Sequence, residues 1–211
     1  KKNKDLSCVK GFCPSFVSVI GGNLRKPKAL TIDFIAQGEA LALPKISNLD
    51  TPWSVLVTGI GGTGVVTVGA LMAMAAYIEG KAVTTLDQTG LAQKGGAVYT
   101  HIRIANRNDQ LHAVRISDSC ADALIACDLV AASAVATCVS KLNASKTIAV
   151  INTDVTPTSA FALGKDTSNE TQGMIALIAS KSLELRQADA YSTIKKCLGN
   201  TVTANIFMLG Y

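Results

Sequence analysis

The order of elements predicted across residues 54–101 constrains the fold more than any other feature of this chain. An apolar run rich in β-branched residues leads into a glycine-rich turn, a predicted helix, a second strand and another glycine loop. Three glycines of the turn fall at the spacing G-x-G-x-x-G, which brings bare backbone N–H groups to the start of a helix. Those groups and the helix dipole favour an anion, and glycine lets a phosphate approach closely. The candidate binding residues here are Gly59, Gly61, Gly62, Thr63 and Gly64.

A carboxylate further along fits a dinucleotide-binding domain. Asp87 ends the next predicted strand, about 20 residues beyond the glycines, where such a fold places the residue that binds the ribose. The same glycines also serve close packing of a helix on a strand, and this spacing occurs in domains that bind no dinucleotide. A NAD(P)-binding oxidoreductase domain is therefore one interpretation of the segment.

The second glycine loop, QTGLAQKGG at residues 88–96, supplies a further set of candidates. A dinucleotide-binding fold does not require such a loop. It is either a long connection whose glycines adopt positive φ, or a second wall of a cleft that faces phosphate or another subunit. Its candidate binding residues are Gln93, Lys94, Gly95 and Gly96.

Composition limits the classes of protein to which this chain can belong. Its 211 residues, 48% hydrophobic and 17% charged, suffice for one domain with a buried core and an appendage. The net charge of +5 is modest and the basic clusters contain no aromatic residues, so no nucleic-acid binding is predicted. The apolar runs are shorter than the ~20 residues of a membrane span. We therefore expect neither a membrane span nor a signal peptide.

The six cysteines fall into two groups. Cys8 and Cys13 lie in a polar segment with four residues between them, and Pro14 follows the second, as in the cysteine-proline end of bacterial ferredoxin-type runs. Two thiolates cannot hold a cubane cluster alone, so this pair is either part of a ligand set or a pair of free thiols. The others are predicted to be buried structural thiols: Cys120, Cys127, Cys138 and Cys197.

Strands alternate with helices along the rest of the chain, which favours a mostly parallel sheet. The predicted elements are paired strands at residues 98–104 and 111–116, helices at 121–126 and 134–142, strands at 129–132 and 147–152, and helices at 191–198 and from 203. Residues 23–53 look like an extended linker. The sequence thus predicts an α/β fold with a Rossmann-like, mostly parallel sheet flanked by helices, an antiparallel hairpin edge and an extended N-terminal tail.

Two further patterns bear on function. The chain has two histidines, and neither lies at the spacing of a hydrolase triad or a zinc motif, so structural or solvated roles are expected for both. Residues 205–211 end inside an apolar helical pattern without a C-cap. We expect the sequence to be a piece of something longer, with further residues or a partner covering that apolar face.

Several stretches together resemble one family. They are SCVKGFCPSFV, VTGIGGTGVVTVGALMAMAA, LDQTGLAQKGGAV with HIRIA, CDLVAASA, NT followed by TPT, and NIFMLGY. In this order, over nearly the whole chain, they resemble the large fused indolepyruvate ferredoxin oxidoreductases of bacteria, members of the 2-oxoacid:ferredoxin oxidoreductase superfamily. Such a series is far more specific than the glycine spacing alone.

The resemblance implies an iron–sulfur oxidoreductase that decarboxylates an aryl pyruvate on thiamine diphosphate with magnesium, passes electrons through [4Fe-4S] clusters, and hands the acyl group to coenzyme A. Residues 1–22 would end a ferredoxin-like region, 23–53 would be a linker, and 54–211 would be the gamma-type domain. Cys8 and Cys13 would be cluster ligands, although Lys2 stands where a further cysteine is expected. The thiamine site would lie elsewhere, because no GDG motif with a downstream asparagine occurs here.

The resemblance also implies partners: the rest of a fused chain, ferredoxin and a second copy in a homodimer, all in the cytoplasm. In this superfamily the gamma-type domain is associated with covering the active site and with coenzyme A. Both glycine segments are therefore candidates for a phosphate-bearing ligand or for an interdomain contact. A NAD(P)-binding domain and a non-catalytic assembly module stay open as alternatives, and no turnover is expected of this chain alone.

Overall fold

The computed structural model describes residues 20–22, 34–42, 48–90, 96–154, 168–199 and 201–211. Its strands are β1 (Trp53–Ile60), β2 (Ala82–Thr89), β3 (Ala97–Ala105), β4 (Ala123–Ala126), β5 (Ile148–Asn152) and β6 (Glu184–Ala188). Its α-helices are α1 (Phe34–Glu39), α2 (Val65–Ile78), α3 (Leu129–Ala132), α4 (Ser168–Ser180), α5 (Ala190–Leu198) and α6 (Ala204–Gly210). Helix α1 lies inside the segment predicted as an extended linker, so the described part of that segment is not extended throughout.

The described strands form one six-stranded sheet in the order β2-β3-β1-β4-β5-β6. Strands β1, β4, β5 and β6 are parallel neighbours, whereas β3 is antiparallel to both β1 and β2. Every described strand except β3 therefore runs in one direction. This confirms the predicted α/β class, with a mostly parallel sheet and an antiparallel pair at one edge.

The antiparallel edge is built from different strands than predicted. Strand β3 pairs with β2 from Ala82↔Ala105 to Thr89↔Val98, and its other side pairs with β1. Because β1 and β2 occupy both sides of β3, residues 111–116 cannot pair with that strand, and the prediction of a paired strand there is wrong. Side chains of β3 hold that segment instead. Ile116 N donates to His101 Nδ1 at 3.3 Å, and Arg103 Nη1 donates to the Ala113 carbonyl at 2.8 Å.

The helix predicted at residues 121–126 and the strand predicted at 129–132 are both wrong, because the structure has a strand in the first segment and a helix in the second. The first segment contains strand β4 rather than a helix, since its alanine-rich residues lie between β1 and β5 and pair with both. The second is helix α3 rather than a strand. Asp128 caps it, accepting the Ala131 N–H at 2.9 Å. Only Val139–Lys141 is helical within 134–142, as a short 3₁₀ turn, and β6 was not predicted.

Helices cover both faces of the sheet. Alternate residues of β1 point to opposite sides, with Leu56 in one buried cluster and Val57 in the other. The Leu56 side is covered by α3 and α4, and the Val57 side by α2, α5 and α6. Each fully buried aliphatic side chain of this kind contributes about 1.5–3 kcal/mol. No described helix combines the length and the hydrophobicity that crossing a membrane requires.

Candidate functional site

The glycine turn lies where the chain reverses its winding across the sheet. From β1 the chain passes through α2 to β2 on one side, whereas from β4 it passes through α3 to β5 on the other. Helices α2 and α3 cover opposite faces, so a crevice opens at the carboxyl ends of β1 and β4. Ligands of open α/β sheets bind at such a switch point.

Three glycines of the turn are required for different reasons. Gly62 and Gly64 have φ angles of +83° and +99°, in the left-handed region that glycine adopts readily. Gly59 serves close packing, because a Cβ there would lie 2.6 Å from Val65 Cγ2 and 3.2 Å from Cys127 Cβ. The structure thus assigns Gly59 to the contact between the turn and the end of β4.

Two amides of the turn are already used within the protein. Gly61 N donates to the Gly96 carbonyl at 2.8 Å, and Thr63 N donates to the Ile60 carbonyl at 3.3 Å. Gly96 therefore connects the two glycine segments through its carbonyl, and its predicted role in binding a cofactor stays a prediction. Gly61 itself offers no amide to a ligand in this conformation.

The amides at the start of α2 have no acceptor in the part of the chain that the structure describes. The first helical hydrogen bond runs from Val68 N to the Gly64 carbonyl at 3.1 Å, and Gly64 at the N-cap offers no side chain. Among the described residues, no acceptor pairs with the N–H groups of Gly62, Gly64, Val65, Val66 and Thr67. These groups carry the positive end of the helix dipole, so they can bind an anion.

A pocket of about 300 Å³ lies against these amides. It is lined by Ile60, Gly61, Gly62, Gly64, Val65, Val66, Thr67 and Val98. No charged residue occurs in residues 53–78, so no carboxylate on β1, the turn or α2 opposes an anion. The pocket combines an apolar wall with backbone donors, which suits a ligand bearing both phosphate and apolar groups.

The remaining predicted site residues cannot be placed against this pocket. Gln93, Lys94 and Gly95 lie outside the described residues, and so do Cys8 and Cys13. Among the described residues, no group of three or more His, Cys, Asp or Glu side chains could hold a metal ion. The described part of the chain therefore does not itself fit a magnesium ion or an iron–sulfur cluster.

Asn205, which was not among the predicted site residues, contacts the turn. Its Nδ2 donates to the Thr63 carbonyl at 2.8 Å and lies 3.2 Å from Thr63 Oγ1. The side chain is 4% exposed, although it belongs to an apolar helical pattern. A lone polar residue within the otherwise apolar run NIFML was the signal in the sequence that could have found it.

Asp87 does not occupy the position of a ribose-binding carboxylate. It lies on β2, and β3 separates that strand from β1, so the two strands are about 10 Å apart. A dinucleotide-binding fold places the acidic residue on the strand beside the glycine turn. Here the Asp87 carboxylate instead accepts the Thr100 hydroxyl at 2.6 Å. The geometry therefore argues against the NAD(P) interpretation.

His101 is a neutral structural residue. It is fully buried, its Nδ1 accepts the Ile116 N–H, and its Nε2 lies 3.1 Å from Gln88 Oε1, to which it donates. Burial, together with the positive charges of Arg115 and Lys141, lowers the pKa of His101 to about 4. This confirms the structural role expected for it.

The described cysteines differ in their exposure. Cys127 and Cys138 are buried, and burial raises the pKa of each thiol to about 12, with Asp128 adding to the effect at Cys127. Cys197 is half-buried. Cys120 is exposed, so the prediction of a buried thiol there is wrong. It lies in the short irregular segment before β4.

A pair of carboxyl groups at the ends of β5 and β6 was also not predicted. Burial and the neighbouring Asp189 raise the pKa of Asp154, while the hydrogen bond from Asp154 lowers the pKa of Asp189. Asp154 accepts the Tyr191 N–H at 2.6 Å. Asn152 bonds the same region, accepting from Ala190 N at 3.1 Å. These contacts fix the start of α5.

Known proteins resemble this chain in sequence and in fold. Indolepyruvate oxidoreductase subunit IorB of Archaeoglobus fulgidus is 37% identical over 73 residues, which is 35% of this chain and 34% of that protein. The match therefore spans about a third of the curated relative. Pyruvate oxidoreductase subunit PORC from Thermotoga maritima has a similar fold, with a TM-score of 0.51 at 18% identity over 76% of this chain and 74% of that one.

A third likeness is to a larger protein. The 2-oxoglutarate:ferredoxin oxidoreductase from Magnetococcus marinus, solved with 2-oxoglutarate, coenzyme A and succinyl-CoA bound, gives a TM-score of 0.54 at 16% identity. The alignment covers 76% of this chain and 24% of that one. Residues 54–211 also match the sequence profile described as pyruvate ferredoxin/flavodoxin oxidoreductase. With more than half of its residues in that match, the chain belongs to the pyruvate ferredoxin/flavodoxin oxidoreductase family.

Proposed function

We propose that this chain is part of a 2-oxoacid:ferredoxin oxidoreductase and that its glycine turn binds the phosphates of coenzyme A. The observation that carries the proposal is the row of amides at the start of α2 that no described acceptor occupies. They face a pocket with no carboxylate among its described lining residues. Coenzyme A joins anionic phosphates to an apolar arm, and the pocket offers donors beside apolar side chains. Lys94 would add a point charge from the second glycine loop.

The overall reaction defines what the chain would help to position. The C1–C2 bond of the 2-oxoacid breaks to release carbon dioxide, and a thioester forms between the acyl carbon and the coenzyme A sulfur. The S–H bond of coenzyme A breaks with release of its proton, and two electrons pass to ferredoxin. Thiamine diphosphate, when bound, supplies the carbanion chemistry of the first step. No GDG motif with a downstream asparagine occurs in the sequence, so we propose that other parts of the oxidoreductase bind it. The contribution of this chain is to hold the phosphates, and thereby the thiol, in place.

We propose an aryl pyruvate such as indolepyruvate as the 2-oxoacid. The likeness to an indolepyruvate oxidoreductase subunit over 73 residues supports this choice. The test compares kcat/KM for indolepyruvate and pyruvate in the intact oxidoreductase, with reduction of ferredoxin as the signal. A larger value for pyruvate would contradict the proposed substrate while leaving the coenzyme A site untouched.

Two glycines at opposite ends of α2 give a matched test of the coenzyme A site. Gly64 and Gly80 have φ angles of +99° and +72°, and a Cβ at either would meet no heavy atom within 4 Å. Alanine therefore strains the backbone at both positions, but only at Gly64 does it disturb amides that face the pocket. We expect Gly64→Ala to raise KM for coenzyme A about tenfold, equivalent to roughly 1.4 kcal/mol. Gly80→Ala should leave that KM unchanged, and equal effects of the two variants would contradict the proposal.

The exposed face of α2 supports a second candidate, an assembly role for this domain. Helix α2 carries no charged residue, and four of its large apolar side chains are 47–77% exposed. These are Leu71, Met74, Tyr77 and Ile78. A contiguous apolar surface of this kind suits contact with another part of an oxidoreductase. An assembly role is compatible with coenzyme A binding, because the exposed residues lie further along α2 than the glycine turn.

A further inference from the structure

Glycine at position 64 permits two orientations of the peptide between Thr63 and Gly64, of which the structure shows one. Gly64 has φ +99°, and glycine at this position lets the preceding peptide flip, as between type I and type II turns. The Thr63 amide and hydroxyl both donate to the Ile60 carbonyl, at 3.3 and 2.6 Å. Those bonds fix the peptide between Gly62 and Thr63, but they do not hold the Thr63 carbonyl.

We propose that Asn205 is a positioning residue that fixes this peptide and thereby aims the Gly64 N–H into the pocket. Its Nδ2 donates to the Thr63 carbonyl at 2.8 Å across 142 positions of the chain. In a planar trans peptide the C=O and N–H bonds point in opposite directions, and the described residues contain no cis peptide bond. A carbonyl held on the α6 side therefore places the Gly64 N–H on the other side. Gly62, Gly64 and Val66 line the pocket, whereas no α6 residue does.

The donor is held rigidly enough to perform this role. Ala204 and Met208 are 1% and 2% exposed, and both pack in the cluster that contains Val65 and Val68 of α2. Asn205 lies between these two anchors and is itself 4% exposed. A buried amide with a fixed backbone loses little entropy when it bonds, so the orientation of the peptide is set before any ligand arrives.

The expected effect of Asn205 on coenzyme A binding rests on the proposed function. The test separates the positioning role of Asn205 from the coenzyme A site itself. In the intact oxidoreductase, Asn205→Asp keeps the shape of the side chain but replaces the donor with a carboxylate oxygen. We expect KM for coenzyme A to rise about fivefold, with a smaller change in kcat, because one backbone donor is lost from the site. A crystal structure of the variant should show the 63–64 peptide turned over.

A control separates positioning from general loss of stability. Asn152 is 1% exposed, and its Nδ2 donates to the Cys127 carbonyl at 3.3 Å, so Asn152→Asp makes the same chemical change at another buried site. It should leave KM for coenzyme A unchanged. If Asn205→Asp does not yield folded protein, Asn205→Ser provides the same test without a buried charge, since its hydroxyl is too short to reach Thr63.

The outcomes are distinct. An unturned peptide and an unchanged KM in the Asn205 variant, beside a raised KM in Gly64→Ala, would overturn the positioning role and leave the coenzyme A site standing. A turned peptide in the Asn205 variant, beside unchanged KM values in both variants, would support the positioning role and contradict the coenzyme A site. Equal rises of KM in the Asn205 and Asn152 variants, with the peptide unturned, would also overturn the inference.

Discussion

Gly59 lies where the fold leaves no room for a side chain. A Cβ there would come within 2.6 Å of Val65 Cγ2 and 3.2 Å of Cys127 Cβ, both in the buried cluster beneath α2. We predict that Gly59→Ala destabilises the protein by about 1–3 kcal/mol, because the added methyl group overpacks this contact. Urea unfolding of the variant and the parent measures the difference.

Gly173 provides the matched control for that substitution. It lies within α4, and a Cβ there would meet no heavy atom within 4 Å. Alanine has the higher helix propensity, so Gly173→Ala should be neutral or stabilising by up to about 1 kcal/mol. A stability loss of similar size in both variants would show that crowding is not the cause at Gly59.

His101 makes stability depend on pH in a defined window. Its pKa falls from 6.5 to about 4 on folding because the ring is buried. Between these values the unfolded chain binds the proton that the folded chain excludes, so the stabilisation is fully present above about pH 6.5 and is lost as the pH falls towards 4. The effect is on the order of 3 kcal/mol. Unfolding free energies measured at pH 5 and 7.5 should differ less in His101→Gln than in the parent, and an identical slope would contradict the prediction.

At the scale of elements, prediction succeeded where the signals were local. Strand β1, the glycine turn and α2 follow one another within 26 residues, 53–78, and each is marked by its own residue types. Strand β4 was misassigned because the run ALIA favours a helix until β1 and β5 pair with it on both sides. Helix α3 was missed because the Asp128 cap was not recognised.

Only the part of the candidate site with a local sequence signal was predicted. The G-x-G-x-x-G spacing located the turn, but two of its contacts come from distant residues. Gly96 occupies the Gly61 amide, and Asn205 bonds the Thr63 carbonyl. No periodicity within the turn encodes either contact, because each depends on how strands and helices pack in three dimensions. The position of Asp87, one strand too far from β1, depends likewise on the insertion of β3.

Helix α2 offers a test of the assembly role at this scale. Met74 is 57% exposed on a helix without charged residues, so Met74→Lys places a charge in the proposed contact at little cost to the fold. We expect the variant to keep its thermal stability as a domain but to lose association with the rest of the oxidoreductase in sedimentation. Gln172→Lys, on the exposed polar part of α4, is the control. Intact assembly of Met74→Lys would exclude this face as the contact.

At the scale of the whole molecule, three distant parts of the chain meet at the glycine turn. The loop before β3 supplies the Gly96 carbonyl, the end of β4 supplies Cys127 against Gly59, and α6 supplies Asn205. The turn is thus fixed by the domain as a whole rather than by its own sequence. The described residues, by contrast, contain no set of side chains that could hold a metal centre for electron transfer. We propose that Cys8 and Cys13 are the contribution of this chain to electron transfer.

The cysteine pair can be tested only in the intact oxidoreductase, purified without oxygen. If Cys8 and Cys13 bind a [4Fe-4S] cluster, Cys8→Ser and Cys13→Ser should each lower the iron and acid-labile sulfide content and slow the reduction of ferredoxin, because thiolate ligands hold such clusters. Cys120→Ser is the control, since that thiol is exposed and lies in the described part of the chain, where no metal-binding group occurs. Full iron content in both test variants would identify Cys8 and Cys13 as ordinary thiols, and the cluster ligands would then have to come from other parts of the oxidoreductase.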